Sequence, residues 1–320
     1  MKDRFGRTID YMRISITDRC NLRCAYCMPH AIPHLPHSDI LRYEEILRVV
    51  RSAVGLGITR FKVTGGEPFA RKGAADFIAA LKAEPGVECV TVTTNGTHLI
   101  ETLPRIVKAG IDGVNVSLDA VDSERYRQIT GSDRAEMVLQ AIERCAKSGI
   151  RTKVNSVLLE DNEDQIIPLA GLAQRLNVDV RFIELMPIGC GGEYSGPDAG
   201  AVLNRLKEVY PGLVPVREVR GNGPAVYYAD ERLTGRIGFI TARSCSFCAD
   251  CNRIRLTGTG LIKPCLCDGG TMDLRALLRG GATDEEITAA LKSAVWDKPA
   301  AHGIAGGNVT ERRRMNLIGG

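Results

Sequence analysis

The sequence has no apolar run approaching the roughly 20 residues that a membrane-spanning helix requires. Its first ten residues, Met1 to Asp10, carry charges where a secretory signal would place an apolar core. It also lacks an excess of charge, because 42 basic residues face 38 acidic ones for a formal net charge of +4. A chain that grips nucleic acid usually shows a much stronger basic bias, so that class of partner is not expected. Repeats of fixed period and low-complexity tracts are absent too, which removes solenoids and fibrous arrays. What remains is an ordinary globular composition, 44% hydrophobic and 25% charged over 320 residues. That length suits about two domains, and the expected compartment is the cytoplasm, without membrane attachment.

Cysteine is the exception to this plainness. There are 11, and clustered thiols in a reducing compartment more often bind metal or do redox work than form disulfides. They fall at Cys20, Cys24 and Cys27, then singly at Cys89, Cys145 and Cys190, then at Cys245, Cys248, Cys251, Cys265 and Cys267. The single cysteines read as small buried hydrophobes.

Short β-rich runs alternate with amphipathic helical patterns over the first 190 residues. The strands are expected at Met12 to Thr17, Arg60 to Thr64, Cys89 to Thr93, Gly113 to Leu118, Lys153 to Leu158 and Asp179 to Leu185. The helices are expected at Tyr43 to Val54, Ala75 to Lys82, Leu99 to Ala109, Ala135 to Ser148 and Glu163 to Leu176, with Gly110 and Gly149 ending two of them. Six βα units in series imply an α/β fold with a parallel sheet, and the Val, Ile and Thr content suggests strands covered on both faces. Unusual residues gather just after strand ends, at Arg19 to Met28, Gly65 to Phe69, Asn95 and Gly96, Ser117 to Ala120, and Met186 to Gly192. That carboxyl edge is where ligands bind in barrels and open sheets alike. Beyond a Gly-, Ser- and Pro-rich stretch, a helix near Ala199 to Val209 and short strands around Leu213, Val226 and Arg236 are expected. The division is drawn at residue 200, with residues 201–320 forming a second, α+β unit.

Cys20-x3-Cys24-x2-Cys27 supplies three thiolates within eight residues. A closed zinc site takes four ligands, and so does a fully ligated [4Fe-4S] cluster, so three leave one metal position open to an exogenous group. A zinc knuckle completed by His30, His34 or His37 is the plainer alternative. Pro29, Pro33 and Pro36 prevent a helix from presenting those histidines together. Cys248-x2-Cys251-x13-Cys265 repeats the arrangement, with Cys245 and Cys267 as spares and a zinc ribbon as the plainer reading. In an extended chain Arg253 and Arg255 point the same way beside that second set. Arg13, Arg60, Lys62, Lys153 and Arg181 lie on or beside expected strands, where a cation pointing inward is badly desolvated unless an anion meets it.

Cys20-x3-Cys24-x-Tyr26-Cys27 resembles the signature of the radical S-adenosylmethionine superfamily, and Thr64-Gly65-Gly66-Glu67-Pro68 is similar to that superfamily's contact with the methionine amino group. The resemblance implies a partial (β/α)6 TIM-type barrel with a C-terminal α+β extension carrying a second cluster. From Tyr11-Met12-Arg13-Ile14-Ser15, through Phe247 to Arg255, to the terminal Gly319-Gly320, the chain resembles the GTP 3′,8-cyclase family, which performs the first step of molybdenum cofactor biosynthesis. That resemblance implies two [4Fe-4S] clusters, at Cys20, Cys24 and Cys27 and at Cys248, Cys251 and Cys265, together with S-adenosylmethionine. It implies a 5′-deoxyadenosyl radical that takes hydrogen from ribose C3′ of GTP, and attack of C3′ on guanine C8 to give 3′,8-cyclo-7,8-dihydro-GTP.

By the same resemblance Tyr26, Gly66, Ser117 and Met186 line the S-adenosylmethionine site, and Arg13, Arg60, Lys62, Thr93, Lys153, Arg181, Arg253 and Arg255 hold GTP. Arg13, Arg253, Arg255, Gly319 and Gly320 are the expected catalytic set, and Arg312 to Arg314 are expected to anchor the tail. The family usually has Arg where this chain has Lys62, which keeps the charge and loses the bidentate fork. Further implications are a low-potential, flavodoxin-like electron donor, a functional link to cyclic pyranopterin monophosphate synthase, and compatibility with a homodimer. A peptide-modifying enzyme of the superfamily and a zinc-ribbon binding module are the competing readings. The Arg253 and Arg255 pair and the Gly-Gly end speak against the first.

Overall fold

The computed structural model describes residues 1–29, 34–244, 247–270, 272–304 and 309–319. Six parallel strands follow one another in the chain: β1 (Tyr11–Ser15), β2 (Arg60–Thr64), β3 (Cys89–Thr94), β4 (Gly113–Ser117), β5 (Thr152–Leu158) and β6 (Asp179–Glu184). Their sequence alternates, and the alternation decides what each face does. Met12, Ile14, Phe61, Val63, Val90, Val92, Val114, Val116, Val154, Val180 and Phe182 are fully buried in one continuous core with the apolar faces of the helices. The opposite face carries Arg13, Lys62, Thr91, Thr93, Asn115, Ser117, Lys153, Asn155 and Arg181. Register aligns them across the sheet, with Arg13 opposite Lys62, Lys62 opposite Thr91, Asn115 between Thr93 and Lys153, and Asn155 between Ser117 and Arg181. The strands are covered on both faces as expected, but by different means: helices cover the apolar face, while the opposite face is polar and borders a cavity.

Helices occupy Tyr43–Gly55, Ala74–Ala83, Leu99–Lys108, Ala135–Lys147 and Ala199–Val209, close to the expected ranges. Gly110 and Gly149 follow two of them with φ of +70° and +77°, as left-handed terminators do. The span expected as one helix from Glu163 divides into a 3-10 stretch, Glu160–Gln165, and a helix, Ile166–Arg175. The break is made by Asn162, whose carboxamide accepts from the Leu159 amide and donates to the Asp119 and Val157 carbonyls. The helix Ser123–Thr130 was not expected. It is short and polar, and the Asp122 cap on the Arg125 amide marks its start.

The chain beyond residue 200 does not form a sheet of its own. β7 (Val214–Val216), β8 (Val226–Ala229) and β9 (Ile237–Ile240) extend the sheet past β6, while β10 (Arg253–Leu256), β11 (Leu261–Lys263) and β12 (Met272–Asp273) extend it past β1. Both β9 and β10 run parallel to their neighbours in the first six strands. The order β12-β11-β10-β1-β2-β3-β4-β5-β6-β9-β8-β7 is open, and among the described residues no ladder joins its two ends. Helices Leu274–Arg279 and Asp284–Trp296 follow, the latter opened by a capping box between Thr283 and Glu286. Among the described residues no helix is long and apolar enough to cross a membrane.

Candidate functional site

The loop after β1 carries Cys20, Cys24 and Cys27, and the loop after β2 packs directly under it. Gly66 donates to the Thr17 carbonyl at 2.8 Å and Glu67 to the Arg19 carbonyl at 2.7 Å. A Cβ at Gly66 would lie 2.3 Å from the Arg19 oxygen, so only glycine permits this approach. Glu67 is fully buried and accepts from the Phe69 amide at 3.0 Å, Thr94 Oγ1 at 2.8 Å and the Asn95 amide at 2.6 Å. It thereby ties the ends of β2 and β3 together. Burial raises its pKa to about 7 against the pull of those donors.

Tyr26 donates to Asp119 at 2.8 Å, and the other Asp119 oxygen accepts from the Val157 amide at 2.8 Å. Burial lifts Asp119 to about 6. Asn95 reaches Cys20 Sγ at 3.7 Å. Sequence reasoning noticed the turns holding Glu67, Asn95 and Asp119 but assigned these three side chains no role. Their position just past a strand end was the available signal.

A cavity of about 320 Å³ opens at the carboxyl ends of the strands, within the size range of small-molecule sites. Its walls include both cysteine sets, Cys20, Cys24 and Cys27 together with Cys248, Cys251, Cys265 and Cys267. Tyr26, Gly66, Thr93, Ser117, Met186, Arg13, Arg253 and Arg255 line the same space. Lys62, Lys153 and Arg181 stand on the same inner face, near enough that Arg181 disfavours the charge of both lysines. Burial and then Arg181, Arg13, Lys153 and Arg253 push Lys62 well below the usual lysine range. Burial and Arg181 bring Lys153 to about 7, and burial with Arg13 and Arg253 brings Arg255 to about 9.

Arg60 stands apart from this group. Its half-exposed guanidinium donates to Asn222 at 2.7 Å and lies 3.6 Å from Asp10. Arg181 is held by Asn155 at 2.6 and 2.9 Å, and Lys153 by Tyr227 at 3.0 Å and the Arg220 carbonyl. Gly319 reaches Arg255, whereas Gly320, Cys245 and His30 lie outside the described residues. Cys145 is buried as expected, but Cys89 and Cys190 are only half-buried, Cys89 accepting from Asn222 at 3.4 Å. His34 lies 3.9 Å from Asp18, and His37 opens a 3-10 turn.

The two cysteine sets differ electrostatically. Burial raises Cys20, raises Cys24 strongly and pushes Cys27 up to about 12, and the one cation that favours the Cys20 thiolate among the described residues, Arg23, does not offset it. A cationic metal group would, and the donor chemistry fits one. In the second set Cys267 donates a thiol hydrogen bond that lowers Cys265 and raises Cys267 itself. Burial opposes ionisation of Cys251 but is outweighed by Lys298 and Arg253. Lys298, only 2% exposed, donates to the Arg253 carbonyl at 2.9 Å and the Pro264 carbonyl at 2.6 Å, joining the two segments that bear this set. Among the described residues no three His, Cys, Asp or Glu side chains converge on a point for a single ion. The described cysteines of each set fit a cluster whose thiolates sit on separate irons.

Arg253 Nε is buried without a hydrogen-bond partner among the described residues, while its guanidinium rests over Phe247, 5.2 Å from the ring centre. A buried unpaired cationic donor facing a cavity is costly unless a ligand completes it.

Comparison with known proteins agrees with this architecture. Residues 14–173 match the radical SAM superfamily, and residues 178–304 match the Molybdenum Cofactor Synthesis C family. Among solved structures, Streptococcus suis SuiB bound to S-adenosylmethionine superposes with a TM-score of 0.64 at 15% identity, covering 95% of this chain and 68% of that one, which shows a shared fold. Among curated relatives, the GTP 3′,8-cyclase of Clostridium perfringens strain SM101 is 41% identical over 323 residues, and that of Moorella thermoacetica 42% over 326, each with 100% of both chains covered. Identity of this order, carried from end to end, leaves no part of the sequence outside the relationship: the chain belongs to the GTP 3′,8-cyclase family, within the radical SAM superfamily.

Proposed function

We propose that the protein converts GTP to 3′,8-cyclo-7,8-dihydro-GTP as the first step of molybdenum cofactor biosynthesis. The observation that carries this reading is the recurrence of Arg13, Lys62, Lys153, Arg181, Arg253 and Arg255 on one inner face of the sheet, of which Arg13, Arg253 and Arg255 line the cavity that both cysteine sets border. Their mutual repulsion costs stability in the free protein and is relieved by a polyanion. A triphosphate is such a ligand, and each charge-assisted hydrogen bond to it contributes about 1.5–3 kcal/mol.

Cys20, Cys24 and Cys27 would hold the first [4Fe-4S] cluster and Cys248, Cys251 and Cys265 the second. The first cluster with S-adenosylmethionine supplies hydrogen abstraction at ribose C3′. The protein's own residues bind, orient and exclude water. Gly66, Ser117, Met186 and Tyr26, the last fixed by Asp119, shape the S-adenosylmethionine side. Thr93 and the cations fix the nucleotide so that C3′ and guanine C8 meet. Arg60, turned toward Asn222 and Asp10, contributes at the outer end of this face. Gly319, held by Arg255, stands at the edge of the same space, and by the resemblance Gly320 belongs with it to the catalytic set. In this scheme residues 1–200 generate the radical and 201–320 present the base.

The reading places the enzyme in the cytoplasm with a flavodoxin-like donor, a link to cyclic pyranopterin monophosphate synthase and, where it self-associates, a homodimer. It is tested by reconstituting the protein anaerobically and supplying GTP, S-adenosylmethionine and a reductant. GTP-dependent formation of 5′-deoxyadenosine and of the cyclised nucleotide is expected. If neither forms, the reading fails.

A further inference from the structure

Next to the second cysteine set, one imidazole that lines the cavity has a buried ring nitrogen with no hydrogen-bond partner among the described residues. His302 lines the cavity beside Cys248 and Phe247. Its backbone amide donates to Cys248 Sγ at 3.3 Å, and its Nδ1 accepts from the Ile304 amide at 3.4 Å. With Nδ1 accepting, the neutral ring carries its proton on Nε2. That atom is buried and has no hydrogen-bond partner among the described residues.

The position is rigid. Arg7, paired with Asp3 at 2.6 Å, clamps the segment by donating to the carbonyls of Cys248, Pro299 and Ala300 at 2.7–3.0 Å. Lys298 holds the same segment to β10 through the Arg253 carbonyl. The Phe247 ring packs edge-on against the imidazole, with centres 6.3 Å apart and planes at 72°. An unmet donor fixed from both sides of the chain is costly unless a ligand acceptor completes it.

We propose that His302 Nε2–H donates to the purine base of the bound nucleotide and so helps select it. This rests on the proposed function. The cations on β1, β2, β5, β6 and β10 account for the triphosphate. A single neutral donor beside an aromatic ring suits the uncharged, flat part of the same ligand.

The test uses the full chain reconstituted with both clusters, without S-adenosylmethionine so that no turnover occurs. Dissociation constants for GTP and for inorganic tripolyphosphate are measured anaerobically in wild type, His302→Phe and His302→Gln, with iron per chain determined alongside. His302→Phe is expected to weaken GTP about tenfold and leave tripolyphosphate unchanged, while His302→Gln, which keeps an N–H donor, stays within about threefold of wild type. Unchanged GTP affinity in His302→Phe overturns the inference. So does an equal loss for tripolyphosphate, which would assign the contact to phosphate. Loss of iron in both variants also overturns it, because the imidazole would then serve the cysteines. If wild type binds tripolyphosphate but not GTP, the functional reading falls with it.

Discussion

Arg255 donates from Nη1 to the backbone carbonyl of Gly319 across 2.6 Å, which fastens the tail to a cavity-lining side chain of the strand that follows the second CxxC. The approach is secured upstream by a fully buried pair, Lys263 with Glu311, to which Arg313 adds a 2.9 Å contact. Asn316 donates to the Asp18 carbonyl at 3.0 Å, and Ile318 is buried with Ile188, Cys267 and Val309. Of the arginines expected to anchor the tail, Arg313 does so through Glu311, and the buried lysine on β11 carries the rest.

Gly319 sits at φ +74°, and a Cβ there would lie 2.9 Å from Ser15 Cβ. Gly319→Ala therefore adds a left-handed penalty of roughly 1–2 kcal/mol to a collision. The variant's tail is expected to be released by carboxypeptidase much faster than that of wild type. Its GTP-dependent turnover should fall at least about tenfold, while iron content and S-adenosylmethionine binding stay near wild type. A tail as protected as wild type would contradict this.

With Lys153 in its proposed nucleotide-binding role, binding should depend on pH in a definite direction. Burial and Arg181 lower it to about 7, whereas an unfolded lysine titrates near 10.4. Between those values the unfolded chain binds the proton that the folded one has released, so this group makes the nucleotide-free protein more stable as pH rises from 7 toward 10. A bound triphosphate restores the charge. GTP binding at pH 8 should take up protons, read by calorimetry in buffers of different ionisation enthalpy, and affinity should weaken as pH rises above 7. Lys153→Met should reduce the uptake, with the remainder shared by Lys62, and at pH 6 the Lys153 contribution should vanish.

The alternation Arg60-Phe61-Lys62-Val63-Thr64 was readable in the sequence, and its meaning was half read. The cations were identified as inward-facing from their recurrence at strand positions, and register now aligns Arg13 with Lys62 and Arg255. The polar character of the whole inner face was missed because Thr91, Thr93, Asn115 and Ser117 are good or tolerable strand residues that look unremarkable singly. Cysteine spacing foretold two sets, and the expectation that they face one cationic cavity is met through β10 pairing with β1 across some 240 residues of chain, which spacing alone does not encode. Arg60 and Lys62 share a face by periodicity, yet the loop bearing Asn222 and the carboxylate of Asp10 draw Arg60 to the outer end. No local signal encodes that.

Glu67→Gln tests whether the carboxylate splices β2 to β3. Its two oxygens accept three hydrogen bonds, and a carboxamide must turn an NH2 toward either the Asn95 amide or the Phe69 and Thr94 donors. The resulting donor–donor contact in a fully buried site costs about 1–3 kcal/mol. A lower Tm in thermal unfolding and weaker S-adenosylmethionine binding are expected, because Gly66 rides on the same turn. An unchanged Tm would mean that the turn is held by Pro68 and the glycines alone.

Cys265 and Cys267 compete for one role, and the structure separates them. Cys267 is buried among Ile188, Val309 and Ile318, while Cys265, half-buried beside them, accepts a hydrogen bond from the Cys267 thiol and has Lys298 as well as Arg255 favouring its charge. The thiolate is the metal ligand, so Cys265 is the better third ligand and Cys267 a donor behind it. In anaerobically reconstituted protein, about eight irons per chain are expected for two clusters. Cys265→Ser should fall to about four, as should Cys24→Ser through the other set. Cys267→Ser, whose hydroxyl still donates, should stay near eight with the electron paramagnetic resonance of the reduced second cluster close to wild type, whereas Cys267→Ala should stay near eight with that signal shifted, since the Cys265 sulfur loses a hydrogen bond. Loss of four irons in Cys267→Ser with retention in Cys265→Ser would exchange the two assignments.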